Sequence, residues 1–112
     1  MPGSLEENRD FLAKRFNVSG AVLDSLCWRY GVVRMSVFGS AARDDMDADS
    51  DIDILVEFDQ GAGASLIDMQ RLREELEAVF PGYRIDITTP SILRNPFRRA
   101  TIERDRRDVY AA

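Results

Sequence analysis

Apolar side chains between Ser19 and Tyr30 fall at Val22, Leu23, Leu26, Cys27 and Tyr30, the three-to-four-residue rhythm of a helix with one buried face. Ser19 stands where an N-cap belongs, and Gly31 lies just past the last turn. The rhythm then changes. Val32–Phe38 is β-branched and aromatic and stops at Gly39, which predicts a strand. A short helix is predicted from Ala41, and the acidic run DDMDADS reads as a loop kept open by solvated charge. IDILVEF (Ile52–Phe58) predicts a second strand and QGAGA a flexible connector. From Ser65 to Phe80, Leu66, Met69, Leu72, Leu76, Val79 and Phe80 recur every three or four residues, a helix closed by Pro81-Gly82. YRIDITT (Tyr83–Thr89) alternates as a third strand, and SILRNPFRRATIERDRRDVY predicts a last helix interrupted near Pro96.

The order α-β-α-β-α-β-α indicates an α/β domain, a small sheet with helices packed against it, and leaves strand directions open. The 112 residues, 45% hydrophobic and 31% charged, fit a single domain over 1–112 with one core. A net charge of −5 with scattered basic residues excludes long nucleic acid as the main partner, because phosphate binding relies on clustered Lys and Arg. The only cysteine, Cys27, lies in the apolar run VLDSLCW and reads as a buried thiol in a reducing compartment. MPGSLEEN is no secretory signal and no apolar run reaches membrane-spanning length, so a cytoplasmic location away from membranes is expected. There is no histidine. Any general base is therefore a carboxylate or arrives with the substrate.

That absence directs attention to the aspartates. Along the second strand Asp51 and Asp53 share one face, while Ile52, Ile54, Val56 and Phe58 share the other. Their Cα atoms are roughly 6.6 Å apart at a rise of ~3.3 Å per residue. In the third strand Ile85 and Ile87 face the core, which turns Asp86 outward with Arg84 and Thr88. If the two strands are neighbours, three carboxylates meet and raise one another's pKa, a penalty that a divalent cation reverses. Hard oxygen ligands select Mg²⁺ or Mn²⁺. Before them, Gly39 lets backbone amides approach an anion, and Ser40 offers a hydroxyl at a helix start, a place that favours phosphate. Arg43, a turn on, is either a forked donor to phosphate or a surface partner of Asp47. Asp86 likewise has an ordinary alternative in an ion pair with Arg84 or Arg94. A calcium loop fails on detail: counted from Asp45, the turn position is Ser50 rather than Gly and the twelfth is Val56 rather than Glu.

GSAARDDMDADSDID, with ten residues between Gly39-Ser40 and Asp51-Ile52-Asp53, resembles the signature of the polymerase-beta-like nucleotidyltransferase superfamily. ILVEF and YRIDITTPSIL resemble its minimal, MntA-type members. The resemblance implies a mixed sheet flanked by helices and Mg²⁺-dependent transfer of a nucleoside monophosphate, with release of pyrophosphate. Asp51 and Asp53 would ligate two metal ions, and Asp86 would hold the catalytic one and help deprotonate the acceptor hydroxyl. Gly39 and Ser40 would seat the triphosphate of ATP, with Arg43 as a basic residue of the motif. It further implies an antitoxin that adds AMP to a tyrosine of a HEPN-domain toxin. The Arg-rich stretch from Arg94 to Arg107 is a docking surface or a solvated face. The rivals are a binding module with a vestigial site and a small-molecule nucleotidyltransferase, although the latter usually carries a further helical domain. A template-directed polymerase does not fit this length.

Overall fold

The computed structural model describes residues 3–60 and 65–112. Its first helix, α1 (Leu5–Phe16), lies where the apolar rhythm predicts nothing. Only Asn8, Leu12 and Phe16 of its twelve residues are buried, so the pattern is thin. The signal for it is the capping box Ser4-x-x-Glu7: the Ser4 hydroxyl accepts from the Glu7 amide at 3.2 Å, and the Glu7 carboxylate reaches back to the Ser4 amide at 3.4 Å.

The central elements follow the sequence closely. They are α2 (Gly20–Tyr30) capped by Ser19, β1 (Val32–Phe38), the five-residue α3 (Gly39–Arg43), β2 (Ile52–Phe58), α4 (Leu66–Val79) capped by Ser65, and β3 (Ile85–Thr88). Apart from Gln60, a turn residue, the expected connector lies outside the described residues. The acidic loop is exposed but organised by its own side chains, with Asp47 accepting from the Asp49 amide at 2.9 Å and the Ser50 hydroxyl at 3.1 Å.

The expected last helix is three elements. A 3₁₀ turn (Pro90–Arg94) leads into α5 (Pro96–Asp105), and Arg106 then adopts an extended conformation that starts a fourth strand, β4 (Arg107–Ala111). The helical expectation therefore ran too far. The tail is extended because Val109, fully buried, completes the core from an edge position beside β1.

The sheet runs β3-β2-β1-β4, with β1 antiparallel to β2 and β4 and with β2 parallel to β3. The parallel pair is joined through α4, as a crossover requires. This is the mixed sheet of an α+β domain. The outer edge of β4 is blunted by α1, whose Asn8 and Arg9 side chains donate to the Asp108 and Val109 carbonyls at 3.0 and 3.2 Å.

The faces of the sheet differ. Ile52, Ile54 and Val56 belong to the main core with Leu12 and Phe16 of α1, Leu23, Leu26 and Cys27 of α2, and Leu72 and Leu76 of α4. On the opposite face Phe38, Leu55 and Ile102 form the smaller buried cluster among the described residues, with Ile92 and Leu93 packed beside it. The rest of that face is polar. Among the described residues no helix is long and apolar enough to cross a membrane.

Candidate active site

The site begins where β1 ends. Gly39 turns the chain with φ +70°, in the left-handed region, and a Cβ built there would lie 2.5 Å from Asp53 Oδ2. Both facts demand glycine: the backbone conformation is strained for other residues, and a carboxylate fills the space a side chain would need. Ser40 follows, partly exposed, and its carbonyl accepts the Asp45 amide at 3.0 Å to close the short α3.

Asp53 is half-buried at the start of β2. Antiparallel pairing sets it opposite Phe38 and parallel pairing sets it opposite Asp86. The expected neighbourhood of the second and third strands is thus observed. Desolvation, then the charge of Asp86 and then that of Asp51, push the Asp53 carboxyl up to about 6, with Arg98 opposing them. Such a crowded carboxylate beside a second one is a donor set suited to a hard divalent cation.

Asp51 does not complete the trio as expected. It sits just ahead of β2, and its Oδ1 accepts from Arg84 Nε at 3.1 Å. Arg84 is thereby the partner of Asp51 rather than of Asp86, as the alternative ion-pair reading had it. Among the described residues no three acidic side chains form a ready-made cation site. The physical reason is charge balance: the exposed Asp51 carboxylate takes the guanidinium that the β2–β3 pairing brings beside it. The pair is exposed, and such pairs are worth only about 0–1 kcal/mol, so it opposes rearrangement weakly.

Arg43 does not pair with Asp47. Its Nη1 donates to Asp105 Oδ2 at 2.6 Å and its Nε to Asp45 Oδ2 at 3.1 Å. The Asp105 side chain is only 5% exposed. The hydrogen bonds of Arg104 and Arg43 hold that carboxyl below its ordinary range although burial works the other way. With Arg107 Nε donating to the Ala42 carbonyl at 2.7 Å and Arg15 Nε to Asp44 at 2.7 Å, three arginines clamp α3. A helix of five residues has little stability of its own, so this clamp keeps the Gly39-Ser40 turn in place. Sequence reasoning missed Asp105 because nothing in its spacing from Arg43 signals the contact. The clefts lined by Phe11, Arg15 and Asp44 and by Trp28, Tyr30 and Arg71 include none of the three aspartates.

Residues 20–109 match the nucleotidyltransferase domain family. The chain belongs to that family. A Methanocaldococcus jannaschii relative, provisionally assigned as a protein adenylyltransferase, is 52% identical over 61 residues, 54% of this chain and 62% of the relative. The chain thus spans less than two thirds of that protein. The protein adenylyltransferase MntA of Thermococcus cleftensis is 38% identical over 66% of this chain and 72% of its own. A solved structure, provisionally assigned as a minimal nucleotidyltransferase, shares 39% identity with a TM-score of 0.63, covering 93% of this chain and 94% of the other. A toxin-antitoxin crystal structure with AMP-PNP shares the fold at 16% identity, with a TM-score of 0.61 over 83% of this chain and 73% of the other. The chain is thus a member of the nucleotidyltransferase family, similar to its minimal, MntA-like members, as the Gly-Ser and Asp-x-Asp motif led one to expect.

Proposed function

We propose that this nucleotidyltransferase moves AMP from ATP onto a hydroxyl of a partner protein, a tyrosine of a HEPN-domain toxin, and so acts as its antitoxin. The observation that carries the reading is the register that sets Asp53 beside Asp86 and against the Gly39 turn. The acceptor reading is supported by the relatives named as protein adenylyltransferases and by the fold neighbour solved as a toxin-antitoxin complex with AMP-PNP. The tyrosine and the HEPN domain rest on the motif's resemblance to MntA-type antitoxins.

Asp51, Asp53 and Asp86 would hold Mg²⁺, with Mn²⁺ as a substitute, once Asp51 leaves Arg84. When bound, such ions supply neutralisation of the carboxylates and polarisation of the reacting phosphate. The Gly39-Ser40 turn would seat the triphosphate, with the Ser40 hydroxyl as a donor. Asp86 is exposed on the edge strand, where an acceptor would reach it. With no histidine in the chain, the acceptor's proton passes to a carboxylate or to solvent. The acceptor oxygen forms its bond to the α-phosphorus, the bond from that phosphorus to the bridging oxygen breaks, and pyrophosphate leaves.

The test is to incubate the purified chain with labelled ATP, Mg²⁺ and the candidate partner, then locate the label by mass spectrometry. AMP on a partner tyrosine, lost with Asp53→Asn, is the expected result. Neutralisation of the partner by Asp53→Asn at wild-type level, with no label in either case, would overturn the enzymatic antitoxin in favour of a binding module. Label on a small molecule alone would overturn the protein acceptor.

A further inference from the structure

Building on the nucleotidyl-transfer reading, we propose that Arg98 supplies the side-chain cation for the polyphosphate of the bound nucleotide, the role that the sequence motif suggested for Arg43. Arg43 is engaged by the buried Asp105, and Arg84 by Asp51. Arg98 is exposed and makes no ion pair among the described residues.

Helix geometry sets its place. Arg98, Ile102 and Asp105 stand at i, i+4 and i+7 of α5 and form one stripe. Ile102 packs on Phe38 and Leu55, so the stripe faces the polar side of the sheet, and Leu55 is two residues beyond Asp53 on the same side of β2. One turn before Ile102, Arg98 is near enough for its charge to act on Asp53. An exposed guanidinium whose charge acts on the cluster, and which pairs with no carboxylate among the described residues, is free for a ligand. Its forked donors match phosphate oxygens. The need is physical as well: carboxylates repel an incoming polyphosphate, and a cation on the same face offsets that repulsion.

The experiment compares wild type, Arg98→Ala and Arg98→Lys for binding of ATP, inorganic tripolyphosphate and AMP in the presence of Mg²⁺, by calorimetry. Expected is a loss of about tenfold or more for ATP and tripolyphosphate in Arg98→Ala, the usual worth of a charge-assisted hydrogen bond. AMP affinity and the thermal midpoint should stay unchanged, and Arg98→Lys should recover part of the loss. Wild-type ATP affinity in Arg98→Ala would overturn the assignment alone, as would equal losses for ATP and AMP or a defect confined to partner binding. A wild-type chain that binds neither ATP nor tripolyphosphate would instead overturn the underlying nucleotidyl-transfer reading, and this assignment with it.

Discussion

Two carboxylates on the same face of the sheet have opposite circumstances. Asp108, on β4, is desolvated, which raises its pKa, yet the Ser36 hydroxyl at 2.6 Å and Arg34 at 2.9 Å leave it below its ordinary range. Arg106, only 11% exposed in its side chain, adds a contact at 3.4 Å. Asp53, on β2, is desolvated to a similar degree of half-burial and has other carboxylates as neighbours, so it is pushed up to about 6. The β4 region balances its charges with its own arginines. In the β2–β3 region Arg84 takes Asp51, while Asp53 and Asp86 have no arginine partner among the described residues. That difference separates a structural polar network from a crowded carboxylate pair, in the proposed function the place of a cationic ligand.

The comparison can be broken or sharpened, starting with the largest effect on stability. Leu55 lies between the two regions on β2, with Asp53 before it and Glu57 of the arginine network after it. Leu55→Ala should cost about 2–5 kcal/mol in denaturant unfolding, because a buried side chain that joins α5 to the sheet is lost. If the cost is near zero, α5 is not anchored on this face. Asp108→Ala takes the acceptor of the Ser36 hydroxyl and leaves Arg34 and Arg106 with only Glu57 as a carboxylate partner, and should cost about 1–3 kcal/mol, with transfer per folded molecule preserved. Gly39→Ala meets both a positive φ and the Asp53 carboxylate, so about 1–2 kcal/mol should be lost and transfer with it.

Asp53→Asn should move stability the other way. A carboxyl whose folded pKa is raised contributes stability below its ordinary value of 3.8, and that contribution is lost as pH rises through about 6. In the absence of divalent ions, thermal melts should therefore show the wild type losing about 1 kcal/mol between pH 4.5 and 7.5, after allowance for the partial exposure of Asp53. Asp53→Asn should flatten that profile and abolish transfer. Asp108 has the opposite sign: its contribution is present above the ordinary carboxylate pKa and lost as pH falls through its depressed one. A wild type that loses no stability relative to Asp53→Asn from pH 4.5 to 7.5 in these conditions would contradict the raised Asp53. The smallest effect belongs to Arg84→Ala, within about 0.5 kcal/mol for an exposed pair, yet it should tighten Mg²⁺ binding by freeing Asp51.

The central helices and strands were legible because their apolar spacing states both period and buried face, from Val32–Phe38 through Ile52–Phe58 to the long α4. The polar α1 announced itself only through Ser4-x-x-Glu7, and β4 was hidden in an Arg-rich run that reads equally well as helix. At the site, the residue types and the alternation of Asp53 against Ile52 and Ile54 were readable. The partners of Arg43 and Arg84, and the approach of Arg98, were not, because each joins elements far apart in the chain.

By itself the sequence determined which side chains face the core along each strand, where glycine ends β1, and that no histidine serves as a base. Local periodicity and side-chain chemistry suffice for those. Only the tertiary structure decided that β2 and β3 run parallel in a register that places Asp53 beside Asp86. It also decided that Asp105 receives Arg43 as well as its neighbour Arg104 and that Asp51 receives Arg84, since packing brings those distant guanidinium groups within reach.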